Sequence, residues 1–334
     1  MAALQDGRAF LAGKRIEREK CHMILSVSRR TDIPNYYADW FYNRIKEGFL
    51  YVRNPMNAHQ ISRIELSPEV VDCIVFWTKN PAGMLERLDE LKDYSFYFQF
   101  TLTGYGRDME PGLPDKEKEL IPVFRELSER IGAQRVIWRY DPILKNKKYT
   151  LEYQVRAFEK IAQRLEGCTK RVVISFLDFY PKIQRNMAAL QVETISDAEM
   201  SEIAGRMAEI AGRHGMETVS CAEQADLSSA GVKPGSCIDK ELIEQIIGCR
   251  LVGKKDKNQR AACGCFESIE TGLYHTCRNG CRYCYANRNE ETVLRNAAAY
   301  DPTSPLLCGV VGPGDKVIER KVKSLKDGQM SFIW

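Results

Sequence analysis

Cys277, Cys281 and Cys284 stand in the run His275-Thr276-Cys277-Arg278-Asn279-Gly280-Cys281-Arg282-Tyr283-Cys284-Tyr285-Ala286-Asn287, spaced Cys-x3-Cys-x2-Cys with an aromatic residue just before the last. Three thiolates in so short a loop can ligate three of the four irons of one [4Fe–4S] cubane, whereas a cluster used only for electron transfer normally has a fourth cysteine. The spacing therefore points to a cluster with one iron left open for chemistry. The alternative is a structural zinc knot, because cysteine clusters in cytosolic proteins are often zinc sites. Zinc frameworks usually come as two Cys-x2-Cys pairs, and this trio has no fourth ligand at such spacing.

Four further cysteines form a second set. Cys221 falls at a predicted strand end, Cys237 in the loop over 231–239, and Cys263-Gly264-Cys265 makes a tight pair upstream of Cys277. Together they supply the four thiolates that an auxiliary [4Fe–4S] cluster uses; ordinary thiols, or a zinc pair at Cys263 and Cys265, are the competing reading. Cys73 and Cys168 look like apolar or helix-end residues, and Cys21, Cys249 and Cys308 have no evident partner. Twelve cysteines in a reducing compartment are expected to include metal ligands rather than disulfides.

The elements that must carry these residues read as α/β. The 334 residues, 44% hydrophobic and 28% charged, give ample core for one large domain. A net charge of +4 is too small to argue for nucleic acid. The first 22 residues are mostly polar and hold no signal peptide, and no later stretch approaches a membrane span, so the expected compartment is the cytoplasm. Short apolar runs predict strands over 23–28, 73–77, 96–102, 135–140, 171–176 and 217–220. Amphipathic patterns predict helices over 36–46, 84–91, 117–131, 151–165 and 197–214. Such alternation predicts parallel strands with helical crossovers, either a barrel or an open doubly wound sheet.

A partial parallel (β/α) barrel is the preferred expectation, because nearly every predicted strand ends in a polar cluster: Ser28-Arg29-Arg30-Thr31-Asp32, Thr78-Lys79-Asn80, Thr101-Leu102-Thr103, Arg139-Tyr140-Asp141, 175–178 and Ser220-Cys221-Ala222-Glu223. In parallel barrels these strand ends form the active face. The expected organisation is an N-terminal extension over 1–22, the main barrel body over 23–220, a cysteine-containing insert over 221–265, a cluster loop and helix completing the barrel over 266–300, and a tail over 301–334. Asp301-Pro302-Thr303-Ser304-Pro305 breaks the chain into that tail, and its apolar end, Ser331-Phe332-Ile333-Trp334, is expected to dock on the barrel.

The cysteine loop resembles the signature loop of the radical S-adenosylmethionine (SAM) superfamily. That resemblance implies Tyr283 near the adenine and an open iron that chelates the methionine amino and carboxylate groups. In most of that superfamily the loop follows the first barrel strand, but here it follows all six predicted strands. A circular permutation accommodates this: 270–276 becomes the strand leading into the loop, 285–300 its helix, and 23–28 the next strand in space. The superfamily's glycine-glycine-glutamate segment is absent, and 28–32 stands in its expected place. Thr31-Asp32-Ile33-Pro34, Thr78-Lys79-Asn80-Pro81 and the stretch 101–114, with Glu110-Pro111 inside it, are similar in order to strand-end motifs of spore photoproduct lyase and its relatives, radical SAM proteins acting on damaged DNA. The whole chain, including Cys263-Gly264-Cys265 and the run 281–287, resembles an uncharacterised bacterial family described only as a domain of unknown function.

On this reading Cys277, Cys281 and Cys284 hold the cluster. Ser28, Thr31 and Asp32 are candidates for the methionine end of SAM, Thr101 and Arg139 for the ribose or carboxylate, and Ser175 for the ribose hydroxyls. The implied partners are a reductant such as a flavodoxin or ferredoxin and an unidentified substrate. Arg29, Arg30, Lys79, Arg139, Lys182 and Arg185 would surround the same mouth and suit an anion. Beside them Trp77, Tyr105, Trp138, Tyr140, Phe179 and Tyr180 would suit stacked bases of nucleic acid, although strand aromatics more often fill core. Two other readings stay open: a non-catalytic zinc or iron–sulfur protein binding nucleic acid, and an acid–base barrel enzyme using Asp32, Asp141, Asp178 and Glu223 with structural cysteines.

Overall fold

The computed structural model describes residues 23–178, 183–321 and 325. In chain order its strands are β1 (Met23–Val27), β2 (Phe49–Asn54), β3 (Asn57–Glu65), β4 (Val71–Thr78), β5 (Phe96–Thr101), β6 (Val136–Ile143), β7 (Arg171–Phe176), β8 (Glu217–Cys221), β9 (Lys233–Gly235), β10 (Ile269–Glu270) and β11 (Lys316–Glu319). The α-helices are α1 (Ile33–Tyr36), α2 (Ala38–Glu47), α3 (Ile121–Ile131), α4 (Leu151–Arg164), α5 (Gln184–Ala189), α6 (Asp197–Arg213), α7 (Lys240–Ile247) and α8 (Glu290–Ala298). A 3₁₀ stretch covers Ala82–Leu91, where a helix is expected.

Local chemistry sets several boundaries. The side chain of Thr150 accepts from the Tyr153 amide to start α4, and Ser196 with Glu199 makes a reciprocal capping box at α6. Asp239 caps α7, whose C-terminal Gly248 adopts the left-handed conformation. The last helix starts later than the periodicity suggests: Asn289 accepts from the Thr292 amide, so residues 285–289 stay outside α8.

The main sheet is eight-stranded and parallel throughout, in the order β10-β1-β4-β5-β6-β7-β8-β9. β10, which leads into the cysteine loop, pairs with β1 through Leu25 opposite Ile269 and Ser26 opposite Glu270. It is much shorter than the predicted strand over 270–276. Glu270 turns the chain away, its carboxylate accepting from the Gly272 amide at 2.9 Å and the Arg29 amide at 3.1 Å.

No strand pairing joins β9 to β10 among the described residues, so the sheet does not close on itself, and of the expected partial barrel the structure shows the parallel α/β sheet flanked by helices. Both edge strands are very short, and one backbone hydrogen bond, from the Phe266 amide to the Ile238 carbonyl at 3.0 Å, links the segments beside them. A separate three-stranded sheet, β11-β3-β2, falls outside the sequence expectations. Trp40 Nε1 donates to the Ser304 carbonyl at 2.9 Å and holds residues of the tail against α2. The terminal Ser331-Phe332-Ile333-Trp334 lies outside the described residues.

Period-2 alternation sends side chains to two different layers. Leu25, Ile74, Phe76, Phe98, Trp138 and Ile174 pack against α2, α3, α4 and α6 in one apolar cluster. Ile24, Val75, Tyr97, Ile137, Val173 and Val219 point the other way, where Leu242 and Ile243 of α7 cover them together with Leu251 and Phe266. Further along this second face the residues turn polar, with Gln99, Arg139 and Ser175 buried near the strand ends.

Phe98 stacks on Phe76 with ring centres 4.6 Å apart and is fully buried. Phe98→Ala is expected to destabilise the fold by about 3–5 kcal/mol. Urea denaturation monitored by circular dichroism checks the value.

Candidate functional site

A cavity of about 520 Å³ opens where the strands of the main sheet end. Ser28, Thr31, Asp32, Thr101, Arg139, Ser175 and Tyr283 all line it. So do Cys277, Cys281 and Cys284, and so do Cys221, Cys237, Cys263 and Cys265. Residues proposed from strand-end position and cysteine spacing are thus brought together in one place, although they come from both ends of the chain.

The cysteine loop has no regular structure and is held by side chains from elsewhere. Asp32 is the central one. Its Oδ2 accepts from the Asn279 side-chain amide at 3.0 Å and from the Lys79 backbone amide at 2.8 Å. Its Oδ1 accepts from the Asn35 amide at 3.2 Å. Burial raises the Asp32 pKa above the ordinary carboxyl value, against the hydrogen bonds led by Asn279. Tyr36 Oη donates to Asn279 Oδ1 at 2.9 Å, and Tyr37 Oη to the Thr276 carbonyl at 2.6 Å. Gly112 presses its backbone on the loop, its amide donating to the Asn279 carbonyl at 3.0 Å. A Cβ there would lie 2.5 Å from the Arg278 carbonyl oxygen, so only glycine allows the approach.

A second clamp holds Tyr283. Its hydroxyl donates to Glu110 Oε1, and Lys79 Nζ reaches the same carboxylate oxygen at 2.7 Å and the phenol oxygen at 3.1 Å. Glu110 Oε2 pairs with Lys116 and accepts from Thr103 Oγ1 at 3.0 Å. Burial pushes the Glu110 pKa up, but Lys79 and Lys116 outweigh it and hold the pKa at about 2. Glu110 and Lys79 lie in the short segments singled out from the sequence. Lys116 and Asn279 escaped notice because a lone Lys and a lone Asn carry no spacing signal.

The other expected residues divide by what they touch. Ser28 Oγ accepts from the Arg30 amide at 2.9 Å and the Thr31 amide at 3.3 Å, so it organises its own turn. Gly272 lies against it, since a Cβ there would meet Ser28 Oγ at 1.8 Å. Thr31 Oγ1 is buried and has no hydrogen-bond partner among the described residues, which leaves it for a bound molecule. Arg139 is engaged by Asp141, by Gln99 Oε1 at 3.3 Å and by Cys237 Sγ at 2.8 Å. Ser175 Oγ donates to the same Asp141. Arg139 and Ser175 therefore meet on one carboxylate, and Arg139 faces the cysteine quartet.

The basic mouth is largely neutralised from within. Arg29 pairs with Asp256 and Glu270, and Lys79 with Glu110, while Arg30 donates to the Gly272 carbonyl and stacks over Tyr274 at 4.8 Å. Arg185 is exposed on α5. Tyr105, Trp138 and Tyr140 are buried core residues and present no face to a base, whereas Trp77 is partly exposed beneath Arg29. Phe179, Tyr180 and Lys182 lie outside the described residues. Of the carboxylates considered for acid–base work, Asp178 pairs with Arg260. Burial lifts the Glu223 pKa to about 7, but this residue accepts from the Phe176 amide at 2.8 Å and lines a separate small pocket.

Among the described residues, no group of three or more His, Cys, Asp or Glu side chains is arranged to hold a single metal ion. Every described cysteine is a free thiol. Burial raises the pKa of Cys277 and Cys284, and that of Cys281 to about 12. Thiols so placed become thiolates only against a strong bound cationic centre. These three thiols border the cavity together with the buried Thr31 hydroxyl.

The family described as Domain of unknown function (DUF1848) matches residues 24–286. The chain belongs to that family. The match takes in every strand of the main sheet except the first residue of β1, together with both cysteine sets. No curated protein matches the chain. Among solved structures, a "putative alpha-L-fucosidase" from Bacteroides thetaiotaomicron is similar over 73% of this chain and 87% of its own, at 11% identity and a TM-score of 0.28. That likeness is too slight to carry an argument. No helix among the described residues is long and apolar enough to cross a membrane.

The Glu110 clamp makes stability depend on pH. A carboxyl held from 4.5 down to about 2 contributes stability that is complete above the unfolded value and is lost as pH falls through the folded one. The contribution is on the order of 3 kcal/mol. Glu110→Gln is expected to remove this acid limb and to destabilise the protein by about 3 kcal/mol at neutral pH, since it leaves two partly buried lysines without their counter-ion. Urea denaturation from pH 7 to pH 2 measures both effects.

Proposed function

We propose that this protein is a radical SAM enzyme, in which Cys277, Cys281 and Cys284 hold a [4Fe–4S] cluster. One observation carries the reading: the three thiols share the 520 Å³ cavity with the strand-end residues Thr31, Thr101 and Ser175. Small-molecule sites commonly have volumes of roughly 300–1,000 Å³. The pairing of β10 with β1 also supports a circularly permuted partial barrel, with the cysteine loop following the strand that neighbours β1. When bound, such a cluster supplies one electron to the sulfonium of SAM, breaking a carbon–sulfur bond to give methionine and a 5′-deoxyadenosyl radical that takes hydrogen from a substrate.

The chain's own residues position and enclose. Asp32 fixes the loop through Asn279, so its role is to place the cysteines rather than to touch the methionine end. Thr31 Oγ1 is the buried polar atom left to meet that end. The Glu110–Lys79 pair sets the ring of Tyr283 at the cavity wall. Ser175, Asp141 and Arg139 form a hydrogen-bonded edge suited to ribose hydroxyls. The electron would come from a flavodoxin or ferredoxin, and the substrate stays unidentified. The neutralised mouth and buried aromatics give less support to nucleic acid than the sequence does.

Anaerobically reconstituted protein given SAM and dithionite is expected to release 5′-deoxyadenosine, measured by liquid chromatography. Cys281→Ala should abolish the release while leaving the circular dichroism spectrum unchanged. Equal release by the variant would remove the assignment. Gly112→Ala should lower the iron held on the loop, because its new methyl group collides with the loop backbone; iron quantitation against wild type checks it.

A further inference from the structure

Cys221 ends β8, Cys237 lies just beyond β9, and Cys263 and Cys265 lie on the approach to β10. The end of β8, the loop after β9 and the approach to β10 therefore bring four cysteines from three separate segments to the wall of one cavity. All four are buried free thiols. Cys221 Sγ and Cys237 Sγ stand 3.0 Å apart, and Cys265 Sγ accepts from the Ile238 amide at 3.4 Å. The Asp256 amide fixes the other side of Cys265 through its carbonyl at 2.9 Å.

A purely apolar role for these sulfurs does not explain the cations around them. Arg139 Nη1 donates to Cys237 Sγ at 2.8 Å. On the other side, Arg29 lies in the field of Cys265 and Cys237. Its Nη1 is buried and has no hydrogen-bond partner among the described residues. A guanidinium nitrogen buried without a partner is costly unless an anionic group completes it. A cubane held by four thiolates is such a group.

We propose that Cys221, Cys237, Cys263 and Cys265 bind a second, fully ligated iron–sulfur cluster, with Arg29 and Arg139 as its counter-charges. Zinc is disfavoured by spacing: structural zinc pairs are separated by two to four residues, whereas only Gly264 separates Cys263 from Cys265. Filling the site moves Cys221 and Cys237 apart from their 3.0 Å contact, an adjustment at the end of β8 and in the loop after β9. The site goes beyond the open cluster proposed above and does not depend on it.

The test is anaerobic reconstitution of the full chain with ferrous iron and sulfide, followed by iron, sulfide and zinc quantitation. Wild type is expected to hold about eight irons, and Cys237→Ser, Cys265→Ser and Cys281→Ser about four each. The double variant Cys265→Ser/Cys281→Ser should hold almost none. A wild type with about four irons, all retained in Cys237→Ser and Cys265→Ser, overturns the second cluster, as does zinc recovered in place of iron. Iron lost only in Cys237→Ser and Cys265→Ser, with Cys281→Ser unaffected, keeps this site and removes the open cluster instead. If Cys237→Ser and Cys265→Ser fail to fold, Cys281→Ser decides: about four irons retained supports the site, and almost none overturns it.

Discussion

A loop without regular structure cannot hold three cysteines in place by itself, and here its geometry depends on two buried carboxylates. Asp32 takes the Asn279 side chain in the middle of the loop, and Glu110 takes the Tyr283 hydroxyl near its end. Each carboxylate is also tied to Lys79, Asp32 through the backbone amide and Glu110 through the ammonium. The end of β4 thus fastens both clamps. A buried charge with paired donors is a demanding arrangement, since losing any member strands the rest. That demand gives the loop one position.

The main sheet separates scaffold from chemistry by its two faces. One face carries Phe76, Phe98 and Trp138 into the helical layer and supplies the apolar burial that holds the fold. The other begins apolar under α7 and ends polar, so the cavity forms where the covering layer stops. The short edge strands β9 and β10 leave the sheet open at the place where Cys237 and Cys265 approach one another.

The strands and crossover helices were largely legible because their signals are local. The continuous apolar run over 73–77, inside Val71–Thr78, would be read the same way in any chain. The β2–β3 hairpin was missed because its mixed, half-exposed residues give no clean alternation. The span of β10 was overestimated because the turn after Glu270 is set by contacts with Arg29, far away in sequence. The cysteines were legible by spacing. The roles of Ser28, Asp32 and Arg139 were not, because a strand-end position says that a side chain is near the cavity, not whether its hydrogen bonds are already taken by neighbours.

By itself the sequence determined the alternation of parallel strands and helices, and the Cys-x3-Cys-x2-Cys spacing of a cysteine trio. These follow from periodicity and donor count, which are properties of short segments. Only the tertiary structure decided that seven cysteines share one cavity, and that Glu110, Lys116 and Asn279 hold the loop. Such facts rest on contacts between residues distant in sequence, 247 positions for Asp32 and Asn279 and 173 for Glu110 and Tyr283, and on charges that find counter-ions only when the chain folds, and no local pattern encodes either.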